Sequence, residues 1–126
     1  MSKKVALIAG SFISGISSLE LLKAIEGKID ADVDIYALPD GYGNIYEATE
    51  DLDSFTVETL TAMDEAGEEH DLKYLRLDEH VLVSFSNIVN YKVKGDLSST
   101  SYLAGALVKK LIERGERKIT ISIGGS

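Results

Sequence analysis

Two periods govern the apolar and polar positions of this chain, and the changes from one to the other mark out its elements. Val5-Ala6-Leu7-Ile8-Ala9 is a continuous apolar run, the pattern of a parallel strand covered on both faces, so a central first strand is expected there. After Gly10 a small-residue loop, Ser11-Phe12-Ile13-Ser14-Gly15-Ile16, leads to Ser17-Ser18-Leu19-Glu20, where a serine precedes a glutamate by three positions as a capping box requires. Leu21, Leu22, Ile25 and Ile29 then fall within about 100° on a helical wheel, which predicts a helix with one buried stripe, weakened at Gly27. From Ala31 to Pro39 the period drops to two. Val33, Ile35 and Ala37 alternate with Asp32, Asp34 and Tyr36, predicting a half-buried strand that Pro39 closes. Asp40-Gly41-Tyr42-Gly43-Asn44 is turn-rich, and Asn44 with Glu47 is spaced to cap a short helix from Ile45 to about Leu52. Strand, helix, strand, helix implies parallel strands joined by right-handed crossovers.

The middle third differs. Phe55 to Met63 and Leu72 to Leu77 read as strands, with the polar, glycine-containing stretch Asp64-Glu65-Ala66-Gly67-Glu68-Glu69 as a hairpin loop between them. A third strand at Val81 to Phe85 completes a small antiparallel meander. Ser86 to Ser98 has no clear period and reads as a loop. Ser99-Thr100-Ser101 supplies candidate N-caps for a helix through Arg114, with Gly115 at the position after it, and Lys118 to Ile123 is a last strand running into Gly124-Gly125-Ser126. The expected architecture is a single α/β domain over residues 1–126, an open, mostly parallel sheet flanked by helices with the meander inserted at about 54–86.

Composition narrows the function classes. A chain of 126 residues with 44% apolar and 27% charged residues is sized and composed for one ordinary globular core. The net charge of −8 repels phosphate backbones and argues against a nucleic-acid partner. No window approaches the roughly 20 apolar residues of a membrane helix, so no membrane partner is expected. The absence of cysteine excludes disulfides, thiolate metal sites and cysteine nucleophiles, and points to a reducing compartment such as the cytoplasm.

Candidate chemistry lies where small residues follow predicted parallel strands: Gly10 to Ser17, Asp40 to Asn44, and Gly124 to Ser126. Ligands of open α/β sheets sit off the carboxyl ends of the strands, where glycine lets the backbone approach and helix N-termini present N–H groups to anions. A phosphate or carboxylate site is one reading. Ordinary turn chemistry is the other, because such turns follow most strands. Neither a P-loop nor a G-x-G-x-x-G dinucleotide motif is present. His70 and His80, the only histidines, have no spaced partners that would make a metal or nucleophile set, and both read as solvated. The acidic run of Asp64, Glu65, Glu68 and Glu69 lacks EF-hand spacing and reads as a solvated hairpin tip, so no metal site is expected. Tyr42, Tyr46, Tyr91 and Tyr102 could line a pocket or simply pack with the hydroxyl reaching solvent.

The order and content of the three corners resemble the N-terminal part of the bacterial glycerate kinase family. Ser11, Phe12, Ser17 and the Leu19-Glu20 helix entry match the family's P-D-S-F-K-G-S-L-S-A loop, and Pro39-Asp40-Gly41-Tyr42-Gly43-Asn44-Ile45-Tyr46-Glu47-Ala48 is similar to A-D-G-G-E-G-T-x-E-A. Ser99-Thr100-Ser101-Tyr102, the Arg114-Gly115 turn and Ile123-Gly124-Gly125-Ser126 resemble the third signature, T-T-x-Y-G-T-G-E-L-I, and the I-G-G-S that follows it. The resemblance implies ATP and Mg2+ as cofactors and phosphorylation of glycerate. It marks Ser11, Gly15, Ser17, Asp40, Gly41, Ser99, Thr100, Gly124, Gly125 and Ser126 as candidates for substrate or phosphate binding.

The departures bear directly on activity. Ile13 stands where the family's loop has lysine, and Ala9 and Gly10 precede Ser11 without the aspartate. Gly43 replaces the glutamate of the second motif, and Leu103, Ala104 and Ala106 replace polar or small residues of the third. Family chains also continue beyond I-G-G-S into A-T-N-D-G-G, which these 126 residues do not contain. The expectation is family ancestry with absent or very weak kinase activity. The alternatives are a non-catalytic module for a small organic acid or phosphate-containing ligand, a self-associating unit, or one part of an enzyme completed by another chain.

Overall fold

The computed structural model describes residues 3–10, 16–39, 45–49, 52, 54–89 and 100–124. In chain order the elements are β1 (Lys4–Ala9), α1 (Ser18–Glu26), β2 (Asp32–Ala37), α2 (Ile45–Thr49), β3 (Thr56–Met63), β4 (Glu69–Leu77), β5 (His80–Ser84), a 3-10 turn (Phe85–Asn87), α3 (Tyr102–Glu113) and β6 (Lys118–Ser122). The fold is mixed α/β, with helices flanking sheets that hold both parallel and antiparallel pairs. β1 and β2 run parallel, from Lys4 opposite Asp32 to Ala9 opposite Ala37. β3, β4, β5 and β6 form a second sheet in that order, antiparallel up to β5 and parallel between β5 and β6.

The meander expected at about 54–86 is present as β3 to β5, and it is continuous with the C-terminal strand. β6 lies along β5 from Lys118 opposite His80 to Ser122 opposite Ser84. Local periodicity identifies strands but carries no information on which distant strand a given edge will pair with, so this partnership was not readable. β1 departs from the central position its composition suggests. Among the described residues it pairs with β2 alone, and burial alternates along it. Val5, Leu7 and Ala9 are half-buried on the side of α1, whereas Lys4, Ala6 and Ile8 are exposed.

The core sits between α3 and the four-stranded sheet. Leu107 and Leu111 of α3, one turn apart on a single face, pack with Ala62, Leu72, Tyr74, Val81 and Val83. Burying each leucine contributes about 2 kcal/mol. Lys110 lays its stem along the same layer and donates from Nζ to the Thr61 carbonyl at 2.6 Å. The helix stops as expected at Gly115, whose φ of +98° is open to glycine at little steric cost; the Glu116 N–H then donates to the Leu111 carbonyl at 3.1 Å.

α1 is shorter than its predicted stripe. It ends at Glu26 with Gly27 as C-cap, so Ile29 lies beyond it, Ile25 is exposed, and Ser18 and Leu22 form the buried contact instead. α2 is described over Ile45–Thr49, and the Thr49 hydroxyl donates back to the Ile45 carbonyl at 2.8 Å.

Candidate functional site

The carboxyl ends of β1 and β2 lead toward α1 and α2, and the contact between these two helices organises the site. Ser17 caps α1 in extended conformation: its Oγ accepts from the Glu20 N–H at 3.0 Å while Glu20 Oε2 accepts from the Ser17 N–H at 3.4 Å. The capping box expected from the sequence is therefore formed. The next free donor of the first turn, the Leu19 N–H, donates to Glu47 Oε1 of α2 at 3.1 Å. A carboxylate at this position complements the positive end of the helix and satisfies a backbone group that would otherwise need water or a ligand. The sequence suggested that Glu47 caps its own helix. The structure sends its Oε1 across to α1, while Asn44, the other half of that expected cap, lies outside the described residues.

The neighbouring residue on α2 reaches the other way. Tyr46 Oη donates to the Lys73 carbonyl at 2.7 Å and accepts from the Ser84 N–H at 3.4 Å. Burial pushes the Tyr46 hydroxyl above the usual phenol range. Its hydroxyl thus belongs to the fold and does not reach out as the sequence left open. Ser84 is the last residue of β5 and sits opposite Ser122, the last of β6, with Gly124 in the turn just beyond. Through Glu47 and Tyr46, α2 touches both the entry to α1 and the second sheet, at Lys73 of β4 and at Ser84 at the carboxyl end of β5. Buried Ser84 and Ser86 share a hydroxyl contact at 3.1 Å beside it.

Sequence reasoning missed Tyr46 and Glu47 as the pair that ties the first turn of α1 to the second sheet. The only available signal was their adjacency at the start of a helix that follows the second corner. Of the candidate binding residues, Ser17 is a helix cap, and Gly124 lies beyond β6. Thr100 is drawn to the β3–β4 turn, where its hydroxyl donates to Glu65 and also accepts from the Tyr102 N–H at 3.2 Å. Ser11, Gly15, Asp40, Gly41, Ser99, Gly125 and Ser126 lie outside the described residues, as do Tyr42, Asn44 and Tyr91.

The β3–β4 turn corrects the reading of His70 as lacking partners. Asp64 Oδ1 accepts from the Ala66 and Glu68 N–H groups at 2.9 Å each, and Asp64 Oδ2 lies 2.9 Å from His70 Nε2. The bond to His70, with the two backbone donors, holds the Asp64 carboxyl below the usual carboxylate range. Ligand atoms of Asp64, Glu68 and His70 lie within 4.8 Å of one another, so this set is the one among the described residues able to converge on a cation. Its oxygens already close the turn, and Gly67 at φ +82° lets the chain reverse.

The most perturbed charges lie at the opposite end of the second sheet. Arg76, opposite Val81 near the start of β5, donates from Nε to Glu58 Oε1 at 2.8 Å and forms a two-pronged pair with Glu116, just ahead of β6. Tyr74 Oη donates to Glu58 Oε2 at 2.5 Å. These bonds hold both glutamate carboxyls below their usual range and hold the Arg76 proton more firmly still. They clamp the segment that follows α3 to β3 and β4.

No family model matches the chain, and no curated protein matches it. Among solved structures, the whole chain superposes on a crystal structure described as "putative glycerate kinase 2 from Salmonella typhimurium LT2", with a TM-score of 0.68 and 22% identity. At that identity the likeness is one of fold, and the fold is of the glycerate-kinase type. The chain spans 37% of the length of that neighbour. No helix among the described residues is long and apolar enough to cross a membrane.

Proposed function

We propose that these residues are the N-terminal part of a glycerate-kinase-type fold and that the 126-residue chain does not by itself transfer phosphate to glycerate. The observation that carries this reading is the coverage: the chain matches the neighbour from end to end, yet the neighbour holds nearly two thirds of its length outside the match. Phosphoryl transfer relies on cationic groups and a carboxylate-held metal placed around the phosphates. The first turn of α1 does not fit ATP in this role, because its Glu20 and Leu19 N–H groups already serve Ser17 and the carboxylate of Glu47. A phosphate brought there meets negative charge. Ile13, in the position where the resembled family has lysine, supplies no charge to offset it.

Purified protein mixed with ATP, Mg2+ and D-glycerate should release ADP at the rate of the protein-free blank in a coupled assay. Glycerate-dependent ADP release overturns the reading. Calorimetric titration with D-glycerate, inorganic phosphate and ATP separates the alternative: binding below millimolar without turnover would make the chain a non-catalytic ligand module.

A further inference from the structure

Carboxylates alone at a surface turn say little about a ligand, but the β3–β4 turn holds an imidazole among them. His70 Nε2 faces Asp64 Oδ2 at 2.9 Å, and a carboxylate oxygen of Glu68 completes a set whose ligand atoms all lie within 4.8 Å of one another. Two donors that bind one octahedral ion at right angles, each about 2.1 Å from it, stand about 3.0 Å apart. His70 and Asp64 already keep that spacing. Asp64 is aimed from behind, because its Oδ1 accepts from the Ala66 and Glu68 N–H groups and leaves Oδ2 to the histidine. The Glu68 side chain is exposed, so it closes on an ion without disturbing any packing.

We propose that Asp64, Glu68 and His70 form a surface site for a divalent transition-metal ion such as Ni2+, Co2+ or Zn2+, with water filling the rest of its coordination. The imidazole selects this class of ion: Mg2+ and Ca2+ take oxygen ligands, whereas a nitrogen donor beside two carboxylates suits the later transition metals. Folding is what assembles the set, since β3 and β4 pair up to Met63 opposite Glu69 and bring residues 64 and 70 together across the turn. The site is separate from the contact of α1 with α2, and the proposal stands whether or not the chain turns over glycerate.

His80 is the only other histidine, so binding through imidazole has two possible sources that single variants separate. Tag-free protein cleared of metal with a chelator is titrated calorimetrically with NiCl2, CoCl2, MgCl2 and CaCl2. One equivalent of Ni2+ should bind, at least about tenfold more tightly than Mg2+ or Ca2+. His70→Ala and Glu68→Gln should each weaken Ni2+ binding by at least about tenfold, and His80→Ala should leave it unchanged. Glu68→Gln alters an exposed side chain and spares the bonds of the turn, so its effect reports ligation and not folding. In amide spectra, paramagnetic Co2+ should broaden residues 64–70 and spare β6. Absence of saturable Ni2+ binding below millimolar overturns the proposal. So does Ni2+ binding that survives His70→Ala or disappears with His80→Ala, and so does Mg2+ binding as tight as Ni2+.

Discussion

Replacing Glu47 by alanine tests the organisation of the site. The variant removes the acceptor of the Leu19 N–H at the first turn of α1. Loss of a side-chain cap costs about 1 kcal/mol, and loss of a negative charge at a helix N-terminus adds about 0.5 kcal/mol in a partly buried setting. Roughly 1.5 kcal/mol in all lowers the melting temperature of a chain this size by about 5 °C. Glu47→Gln keeps an oxygen at the same place and gives up only the charge, so it should lose about 0.5 kcal/mol. Guanidinium denaturation measures the stabilities, and amide exchange at Leu19 reports the bond itself, which should open faster in the alanine variant. Glu47→Ala with stability within about 0.3 kcal/mol of the parent, the usual error of such comparisons, and an unchanged Leu19 amide would refute the reasoning.

Arg76→Met should cost about 1–2 kcal/mol at pH 7 by leaving Glu58 and Glu116 without their shared cation. Both carboxyls titrate lower in the folded chain, so their contribution is present above about pH 4.3, the ordinary glutamate value, and disappears as pH falls through the folded values. Denaturation midpoints of parent and variant should therefore converge in acid, and a gap that persists there would place the effect elsewhere. Tyr46→Phe strips a partner from the Lys73 carbonyl and the Ser84 N–H and should cost about 1–2 kcal/mol. Exchange of the Ser84 amide should quicken, and an amide that stays as slow as in the parent contradicts the assigned bond.

Much of the fold is legible locally. The Ser17 to Glu20 box, the alternation from Asp32 to Ala37, the turn at Gly67 and the stop at Gly115 are each written within a few residues, and each is found where the pattern puts it. What the pattern does not carry is partnership over long range. Nothing around Val81 or Ile119 announces that β5 and β6 will pair, and nothing around Glu47 announces a bond to a backbone group 28 positions earlier. β1 shows the limit from the other side. Its unbroken apolar run predicts cover on both faces, yet Ala6 and Ile8 are exposed. The small-residue corners at 11–15, 40–44 and 125–126 lie outside the described residues, and within the described ones α2 links the first turn of α1 to β4 and the end of β5.

Because no ladder of strand bonds joins the two sheets among the described residues, Tyr46 and Glu47 make α2 a five-residue fastener between two halves of the molecule. Its hold is cooperative by construction: once either side chain lets go, the other anchors a helix too short to persist alone. Changing both together should cost less than the sum of the separate losses, the signature of one shared joint and not two independent ones.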